Sequence, residues 1–561
     1  MSAASALIGA LAEWQVRHVF CCPGTSEIPV LDAIVEVRGE AHAPEFILTT
    51  HEAIAVSMAD GYARASGDIG VAYLHTNVGV ANGLAHLYAA QVARSRVAVL
   101  AGIKGTATLP HRALTTSPRL LETAAPYAGH VWQNLRPEDL LDDVSRMLWS
   151  TGVVPEQPAV LTVPQNHLMS EAAAAGHVHV RSSARQSPDP DAVREAAELL
   201  RHARHPVIVA GSDVARRGAE SALERLAERS GAPVLVESRR DLERWSFRTD
   251  HPAFAGLFEP SAPLLADCDL LVLAGMPTPL EFSSERPSVP PGVPILHVAE
   301  DAAEPGRRHR TACAVVGDTR LSLELLAECV DAPASGREAD ASESAARAAW
   351  LAAVLDHAAG QRRRWEDEVP VTVEGAAFSA ASAMRVLADT VGGEPLLVLD
   401  AVTSTLPLLR FLTRTRRDTL FATASGSLGW GMGAALGVAL AREERTLAVV
   451  GDGVVQFGVP ALWTAARSHL PVTFVVVNNG RYQAVVSGLR QSGGAARRHD
   501  DYPLTDISGV DIAALAASFG IPAVVVDGAS SLREELRAHL ALDETDGPRL
   551  IEVRVNDDLW A

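Results

Sequence analysis

The sequence predicts an α/β protein with three doubly wound parallel-sheet domains. Short apolar runs bounded by Gly or Pro alternate with longer amphipathic stretches along the chain, which is typical of parallel strands joined by helices. The 561 residues suffice for several domains, at roughly 100–200 residues each. The apolar runs fall into three sets, which predict domains at residues 1–170, 190–332 and 375–561.

The first set of apolar runs predicts an N-terminal domain that ends near Pro164. Its helices are expected to begin near Ser26, Glu52 and Gly83. The segment His167–Asp191 is rich in Ala, Ser, Pro and His without a sustained period, so it is interpreted as a linker. The predicted strands are Val19–Cys22, Phe46–Thr49, Val71–Leu74, Val97–Ala101 and Ala159–Val163.

The second and third sets predict two further α/β domains of similar size. The segment Ala332–Glu343 marks the boundary between them, and a helix is predicted from there to about Glu368. The central strands are predicted at Pro206–Ala210, Pro233–Glu237, Leu270–Ala274 and Pro294–Val298. The C-terminal strands are predicted at Pro395–Leu399, Leu447–Val450, Val472–Val477, Ala523–Val526 and Leu550–Val555.

Composition and charge exclude several classes of protein. With 48% hydrophobic and 21% charged residues, the chain can bury ordinary cores, which rules out a disordered or fibrous protein. The formal net charge of −19 repels polyanions, so no nucleic-acid partner is expected. No apolar run reaches the ~18 residues of a membrane span, and the N-terminus lacks the basic region of a signal peptide, so no membrane partner is expected.

The cysteines predict neither a disulfide framework nor a zinc site. There are five of them, unevenly spaced and without a Cys-x-x-Cys pair, so a reducing cytoplasm is the expected location. Lys104 is the only lysine in the chain, which we interpret mainly as codon bias in a GC-rich genome.

Two polar motifs follow predicted strands of the C-terminal domain. The motif Gly451-Asp452-Gly453 is separated by 24 residues from Asn478-Asn479. Because ligands collect at the carboxyl ends of strands in a doubly wound sheet, Asp452 and Asn479 can lie side by side. A carboxylate, an amide oxygen, a backbone carbonyl and phosphate oxygens suit Mg²⁺, and the two glycines let the backbone approach phosphates closely. A bare Gly-Asp-Gly also fits a strand-ending turn.

The two motifs at this spacing resemble the fingerprint of thiamine-diphosphate-dependent decarboxylases and carboligases. The resemblance implies thiamine diphosphate and Mg²⁺ as cofactors, with Asp452 and Asn479 as side-chain metal ligands and Arg481 as a ligand through its carbonyl oxygen. It also implies that residues 1–170 bind the pyrimidine and residues 375–561 the diphosphate. The cofactor-binding positions that it implies around the motifs are Gly451, Asp452, Gly453, Val454, Asn479, Arg481 and Tyr482.

Glu52 is the candidate for activation of the cofactor. It lies in the first turn of a predicted helix, directly after a strand and among apolar neighbours. A buried carboxylic acid paired with the aminopyrimidine ring can drive removal of the thiazolium C2 proton. The helix dipole alone also favours a first-turn Glu, by about 0.3–1 kcal/mol. The string His51–Gly67, HEAIAVSMADGYARASG, resembles the pyrimidine-binding domain of the same family, which implies the activating role.

Along nearly its full length, the chain is similar to benzoylformate decarboxylase and related 2-oxo acid decarboxylases. The string Phe20–Pro29 resembles their strand-to-helix loop, in which Thr25 matches a hydroxyl residue that contacts the substrate carboxylate. The string Tyr73–Gly83 resembles their histidine-bearing loop and the start of the next helix, which implies His75 as a catalytic proton-transfer residue. A lone histidine after a strand also fits a structural role, because a pKa near ~6.5 suits both.

A third string, Ala424–Gly433, resembles the loop that grips the middle of the cofactor. The resemblance implies that Leu428 supports the V-shaped conformer and that the Gly426 carbonyl accepts a hydrogen bond from the aminopyrimidine. A glycine-rich helix start explains the glycines of this string but not the leucine. Further cofactor-contacting positions are matched by Thr403, Ser404 and Ser425.

The sequence also departs from these families. The stretch Gly275–Phe282 lacks the second histidine of benzoylformate decarboxylases, and Gly488 stands near the position of the aromatic residue of their benzoyl pocket, which predicts a roomier cavity. Thr76 follows His75, so the histidine pair of pyruvate decarboxylases is absent. Lys104 and His111 follow a strand of the first domain and either face the site or only solvate a loop.

The predicted activity is thiamine-diphosphate- and Mg²⁺-dependent decarboxylation of a 2-oxo acid through an enamine intermediate, with release of an aldehyde. The alternatives are an acetolactate-synthase-like carboligase, which joins the enamine to a second carbonyl compound and often binds FAD, and a catalytically silent cofactor-binding homologue. The glycine signal at Ala210–Asp213 lacks Gly-x-Gly-x-x-Gly and does not decide the FAD question. Because the first and third domains would hold opposite ends of the cofactor, a homodimer or homotetramer with active sites at the subunit interface is expected.

Overall fold

Three six-stranded sheets, in which all the strand pairs are parallel, organise the computed structural model of the chain. The structure describes residues 2–40, 42–172, 185–238, 242–279, 288–331, 341–371 and 378–556. Each sheet is built from one continuous part of the sequence and is flanked by helices. The predicted α/β class with three doubly wound parallel sheets is confirmed.

The N-terminal sheet has the strand order β2-β1-β3-β4-β6-β5. Its strands are β1 (His18–Cys22), β2 (Glu45–Leu48), β3 (Gly70–His75), β4 (Val97–Ile103), β5 (His130–Gln133) and β6 (Ala159–Pro164). The accompanying helices are α1 (Ala3–Glu13), α2 (Ile28–Glu36), α3 (Glu52–Ser66), α4 (Thr76–Val92), α5 (Leu120–Ala124), α6 (Leu140–Ser150) and α7 (Gln165–Leu168). Short 3₁₀ helices lie at Leu109–His111, Ala125–Tyr127 and Pro137–Asp139.

The central sheet has the order β12-β11-β10-β7-β8-β9. Its strands are β7 (Pro206–Ala210), β8 (Val234–Val236), β9 (Phe254–Leu257), β10 (Leu270–Ala274), β11 (Ile295–Ala299) and β12 (Thr311–Val316). The helices of this part of the chain are α8 (Pro190–His202), α9 (Ser212–Arg216), α10 (Glu220–Ser230), α11 (Thr319–Asp331) and α12 (Ala341–Glu368), with a 3₁₀ helix at Pro263–Asp267.

The C-terminal sheet has the order β14-β13-β15-β16-β18-β17. Its strands are β13 (Leu396–Asp400), β14 (Leu420–Ala422), β15 (Thr446–Gly451), β16 (Val472–Asn478), β17 (Ala523–Val526) and β18 (Arg549–Arg554). The helices are α13 (Ala380–Val391), α14 (Thr405–Phe411), α15 (Trp430–Arg442), α16 (Asp452–Gly458), α17 (Pro460–Arg467), α18 (Gln483–Gln491), α19 (Ala495–His499), α20 (Ile512–Ser518) and α21 (Ala529–Leu540). Short 3₁₀ helices lie at Val402–Ser404 and Glu544–Asp546.

The inner strands are buried on both faces, which is why the sequence shows them as continuous apolar runs. Every residue of β4, β7, β10 and β13 is buried. The strands that the sequence analysis did not predict are β5, β9, β12 and β14, and all four lie at sheet edges. An edge strand pairs on one side only, so it can be short or partly polar, and its periodicity is weak.

The start of α4 corrects one prediction. The helix was expected to begin near Gly83 after a loop, but β3 ends at His75 and α4 begins at Thr76 without a loop between them. Two glycines of the expected loop are packing positions on the helix. A Cβ added at Gly79 would lie 3.0 Å from Glu52 Oε1, and one added at Gly83 would lie 3.0 Å from Val56 Cγ2.

The N-terminal and C-terminal sheets are joined by close packing of α3 against α15. Small residues four positions apart on each helix allow this approach, Ser57 and Gly61 on α3 and Gly433 and Gly437 on α15. Gly433 faces Ser57, and Gly437 faces the Met58 carbonyl. A Cβ at Gly61 would lie 2.2 Å from the Ala434 carbonyl oxygen, so only glycine fits there.

A buried polar cluster adjoins this helix pair. Asp60 accepts hydrogen bonds from Trp430 Nε1 at 2.7 Å and from Arg64 Nε at 2.8 Å. The Arg64 guanidinium also donates to the Ala422 carbonyl at 2.9 Å, so polar contacts fix how the two sheets are placed relative to each other.

Several predictions stay untested or concern residues that the structure does not describe. The domain limits stay predictions, and residues 173–184 of the predicted linker lie outside the described residues, as do residues 332–340 of the predicted boundary. Within the described ranges, no helix has the length and apolar character that a bilayer span requires. All five cysteines are unpaired.

Candidate active site

Three neighbouring strands of the N-terminal sheet end in polar residues at the same edge. In the order β1-β3-β4, Thr25 lies three residues beyond β1, His75 is the last residue of β3, and Lys104 follows β4 directly. Because carboxyl ends of parallel strands share one edge, these side chains form a polar surface there.

A buried carboxylate lies behind His75. Glu27 is fully buried, and its Oε2 lies 2.7 Å from His75 Nδ1 and accepts a 2.7 Å hydrogen bond from the Gly24 amide. Burial raises the pKa of Glu27, whereas the Gly24 amide and His75 act in the opposite direction. When Glu27 is ionised, it accepts a hydrogen bond from His75 Nδ1–H. His75 Nε2 is then the atom that can exchange a proton with a ligand.

Sequence reasoning missed the role of Glu27. The residue stands in the quoted Phe20–Pro29 string, but nothing in its spacing distinguishes it from a first-turn helix residue. Gly102 is the residue that could have indicated this position of Glu27. A Cβ added at Gly102 would lie 1.9 Å from Glu27 Oε1. A glycine at the end of β4 therefore makes room for a carboxyl group that arrives from β1.

Thr25 is exposed at this edge and its backbone is held in place. Its carbonyl accepts a 3.0 Å hydrogen bond from Gln165 Nε2. Its hydroxyl oxygen accepts a 2.6 Å hydrogen bond from Lys104 Nζ, so of the two alternatives for Lys104 the structure supports the one in which it faces the site. His111 is exposed on the surface.

Glu52 is the first residue of α3 and is half-buried. Its Oε2 accepts a 3.0 Å hydrogen bond from Asn82 Nδ2, and Gly79 lets α4 pass close to the carboxyl group. Cys22 lies nearby: burial raises the pKa of its thiol to about 12, and the charge of Glu52 adds to this effect. The thiol is therefore neutral at pH 7 and is not a nucleophile there.

The Gly-Asp-Gly motif forms the junction between β15 and α16, and a hydrogen bond ties it to the paired asparagines. Buried Asp452 accepts from the Gly453 amide at 2.8 Å and, through its other oxygen, from the Gly480 amide at 2.7 Å. Gly480 lies between Asn479 and Arg481, so the two remote motifs are brought together as predicted from strand order. Burial raises the pKa of Asp452, and both amides oppose this change.

This edge of the C-terminal sheet fits a metal and a diphosphate. Asp452 supplies a carboxylate and Asn479 an amide oxygen, which accepts from the Arg481 amide at 3.2 Å. In the described part of the chain, no three His, Cys, Asp or Glu side chains cluster as a metal site, so a cation here needs further oxygens such as those of phosphate. A Cβ added at Gly451 or Gly426 would meet no atom within 4 Å, which leaves open space beside the backbone.

The end of β13 completes this edge. Thr403 and buried Ser404 lie in the 3₁₀ helix that follows the strand. Asp400 is buried and accepts from the Gly431 amide at 3.0 Å, while its Oδ1 has no hydrogen-bond partner. Burial raises the pKa of Asp400 to about 7. The orphaned oxygen lies at the point where the strand order reverses, between β13 and β15, which is the usual ligand position in such sheets.

A histidine that sequence reasoning did not single out connects the N-terminal part of the chain with its C-terminal part. Buried His86 on α4 places its Nδ1 2.7 Å from the Ala53 carbonyl and its Nε2 3.3 Å from the Leu428 carbonyl. Because Ala53 follows Glu52, one imidazole connects the start of α3 to the loop that carries Leu428. Burial lowers the pKa of His86, so it is neutral at pH 7 and can donate to only one of the two carbonyls.

The remaining predicted residues lie around these groups. Ser425 and Gly426 precede α15, and Gly426 has a positive φ of 67°. The side chain of Val454 is buried, so only its backbone is available to a ligand. The Tyr482 ring lies against Gly453, 3.0 Å from where its Cβ would be.

Two of the positions at which the sequence departs from the families are only partly described. At Gly488 on α18 an added Cβ would meet open space, but the structure does not test the predicted cavity. Residues 280–287, which include part of the stretch without histidine, lie outside the described residues.

Comparison with known protein families gives three matches along the chain. Residues 1–121 match the N-terminal TPP-binding domain of thiamine pyrophosphate enzymes, residues 193–326 match the central domain, and residues 400–553 match the C-terminal TPP-binding domain.

Similar proteins match over nearly the full length. Benzoylformate decarboxylase of Pseudomonas aeruginosa is 27% identical, with 95% of each chain covered. The acetolactate synthase large subunit of Parasynechococcus marenigrum is 26% identical, covering 99% of this chain and 88% of that protein. The crystal structure of benzoylformate decarboxylase from Polynucleobacter necessarius has the same fold, with a TM-score of 0.83 at 22% identity over 100% of this chain and 99% of that one.

Proposed function

The chain belongs to the thiamine pyrophosphate enzymes, and from that premise we propose that it decarboxylates a 2-oxo acid to an aldehyde. In the net reaction the C1–C2 bond breaks, CO₂ leaves and C2 receives a proton. The observation that carries the proposal is the Glu27–His75 pair beside Thr25, because it supplies a proton donor next to a hydroxyl suited to a carboxylate.

The residues that would hold the cofactor lie on two sheets. Asp452, Asn479 and the Arg481 carbonyl would hold Mg²⁺ and, through it, the diphosphate, with Thr403 and Ser404 donating to phosphate oxygens. Bound thiamine diphosphate supplies the carbon nucleophile and the electron sink that decarboxylation requires. Leu428 would support the V-shaped conformer of the cofactor, and the Gly426 carbonyl would accept a hydrogen bond from its aminopyrimidine.

Activation of the cofactor and protonation of C2 would use different acid–base residues. Glu52 would hold a proton at the pyrimidine ring, and Asn82 orients its carboxyl group. His75 would deliver the Nε2 proton that C2 receives after CO₂ has left, from the imidazolium form in which Nδ1–H stays hydrogen-bonded to Glu27. The Thr25 hydroxyl is uncharged and would contact the leaving carboxylate through a hydrogen bond.

A carboligase is the second candidate, and the similarity to acetolactate synthase supports it. In an open sheet of the central order, a dinucleotide would lie between the ends of β7 and β10, where the order reverses. Gly211 packs closely at this point: a Cβ added there would lie 2.2 Å from Met276 Cβ, and Met276 is fully buried. A catalytically silent homologue is a third candidate, which the paired Glu27 and His75 disfavour.

The proposed assembly is a homodimer or homotetramer whose active sites lie at the subunit interface, acting on a small 2-oxo acid. The three predicted domain limits, at residues 1–170, 190–332 and 375–561, belong to the same proposal.

Incubation with a panel of 2-oxo acids tests the proposed function. The protein is reconstituted with thiamine diphosphate and Mg²⁺, and CO₂ and carbonyl products are assayed together. We expect CO₂ and aldehyde in equal amounts, and loss of CO₂ release when a chelator is present during reconstitution, because the metal holds the diphosphate. Acyloin in place of aldehyde would favour the carboligase, and activity that is indifferent to metal would contradict the site.

A further inference from the structure

Lys104 lies at the substrate end of the candidate site with an uncompensated charge. Its Nζ donates to Thr25 Oγ1 at 2.6 Å, and it forms no ion pair with any acid in the described ranges. The two carboxylates described at this edge have other partners at one oxygen each: Glu27 Oε2 accepts from the Gly24 amide and pairs with His75, and Glu52 Oε2 accepts from Asn82. The half-buried ammonium group is therefore available to an anion that enters the site.

The residue type also matters at this position. All other basic residues of the chain except the histidines are arginines, so the composition favours arginine wherever a positive charge alone is needed. An ammonium group is a compact charge with three donors, whereas a guanidinium is a wide planar fork. A lysine that donates to Thr25 keeps two further N–H donors for a ligand.

The leaving carboxylate of the substrate is a poor partner for this charge. Decarboxylation turns that carboxylate into neutral CO₂, so a cation bound to it would stabilise the substrate more than the transition state and slow the reaction. A second acidic group that keeps its charge throughout the reaction carries no such cost, and its ion pair with Lys104 would form equally in the substrate and the transition state.

We infer that Lys104 is a specificity-determining residue that binds a second carboxylate, so that the preferred substrate is a dicarboxylic 2-oxo acid. This inference rests on the proposed function and narrows its substrate class. Thr25 then contacts the carboxylate that leaves, and Lys104, 2.6 Å from the Thr25 hydroxyl, contacts the one that stays.

Two substrates that differ only at their far end test the inference. 2-Oxoglutarate carries a carboxylate where 2-oxopentanoate carries a methyl group, and kcat/KM is measured for both with the wild-type holoenzyme and with Lys104→Met. We expect the ratio of the two kcat/KM values to fall by about 10- to 100-fold in Lys104→Met, the range for a hydrogen bond to a charged group, mainly through KM. Lys104→Arg should restore part of the ratio, because it keeps the charge.

A surface arginine provides the control for Lys104→Met. Arg119→Met removes an exposed cation that pairs with Glu122 and should leave the ratio unchanged. An equal loss for both substrates would overturn the inference and assign Lys104 to the shared carboxylate or to Thr25. An unchanged ratio in Lys104→Met would overturn it as well.

A binding measurement separates failure of this inference from failure of the proposed function. Calorimetric titration with glutarate and with pentanoate requires no turnover. We expect glutarate to bind the wild-type protein more tightly than pentanoate and to lose that preference in Lys104→Met. If the protein releases no CO₂ from any 2-oxo acid but glutarate shows this pattern, the proposed function fails and the anion site stands. Equal binding of glutarate to both proteins overturns the site itself.

Discussion

At the residue scale, Glu27 sets the chemistry available to His75. A neutral imidazole has one donor nitrogen, and a carboxylate at Nδ1 fixes the proton there. Glu27 reaches its buried position because Gly24 donates to it and Gly102 leaves space for it. This argument makes Glu27 a positioning residue, since it would act on the substrate only through His75.

Substitution of Glu27 by Gln should lower kcat by roughly 10²-fold or more, the usual contribution of a positioned proton-transfer group. Protonation of the Glu27 carboxylate should lower the wild-type kcat at acid pH. Because burial raises the pKa of Glu27, this decrease should begin at a higher pH than for an ordinary glutamate. The pH profile of Glu27→Gln should lack that acid limb, and Glu27→Asp should recover part of the activity. An identical pH profile in Glu27→Gln would show that the carboxylate does not act through His75.

Two β-branched residues beside the site have a left-handed backbone conformation. Thr76 follows His75 with a φ of 50°, and Val402 precedes Thr403 with a φ of 47°. A β-branched residue in the left-handed region costs on the order of 1–3 kcal/mol and persists only where its surroundings hold it. Both residues follow a strand end, so the strain fixes how the chain turns from the sheet toward a ligand.

At the scale of elements, the helix pair α3 and α15 determines how the N-terminal and C-terminal sheets meet. The sequence predicted a helix that begins near Glu52 and offered a glycine-rich helix start in Ala424–Gly433, but it did not predict that the small residues of the two helices face each other. A glycine in a helix has the same appearance in sequence whether it packs against a neighbour or faces solvent. The start of α4 was misplaced for a related reason, since the sequence does not show that Gly79 and Gly83 lie on a helix that packs against α3.

Paired glycine substitutions test this packing. Gly61→Ala should lower the free energy of unfolding by about 1–3 kcal/mol, because its Cβ would overlap the Ala434 carbonyl. Gly9→Ala on α1 is the matched control: its Cβ would meet no atom within 4 Å, so it should stabilise by about 0.5–1 kcal/mol through helix propensity. Denaturant unfolding of both variants measures the difference, and equal effects would contradict the packing of α3 against α15.

At the scale of the whole molecule, much of the fold and part of the site were predictable from sequence. Buried inner strands give continuous apolar runs, so β7 and β10 were predicted with the observed limits. Asp452 and the Asn479 loop were expected to meet because both follow strands of one parallel sheet, and the Gly480–Asp452 hydrogen bond joins them. Glu27 and His86 were not predicted, because their roles depend on contacts between elements far apart in sequence.

The central claim is that two remote parts of the chain hold one cofactor, with an acid at the ring and oxygen ligands at the diphosphate. Calorimetric titration with thiamine diphosphate in the presence of Mg²⁺, combined with turnover of the same samples, separates the two ends. We expect Asp452→Ala to abolish binding and Glu52→Gln to bind the cofactor within a few-fold of the wild type while losing at least about 10²-fold in turnover. Wild-type affinity in Asp452→Ala, or wild-type turnover in Glu52→Gln, would contradict the claim.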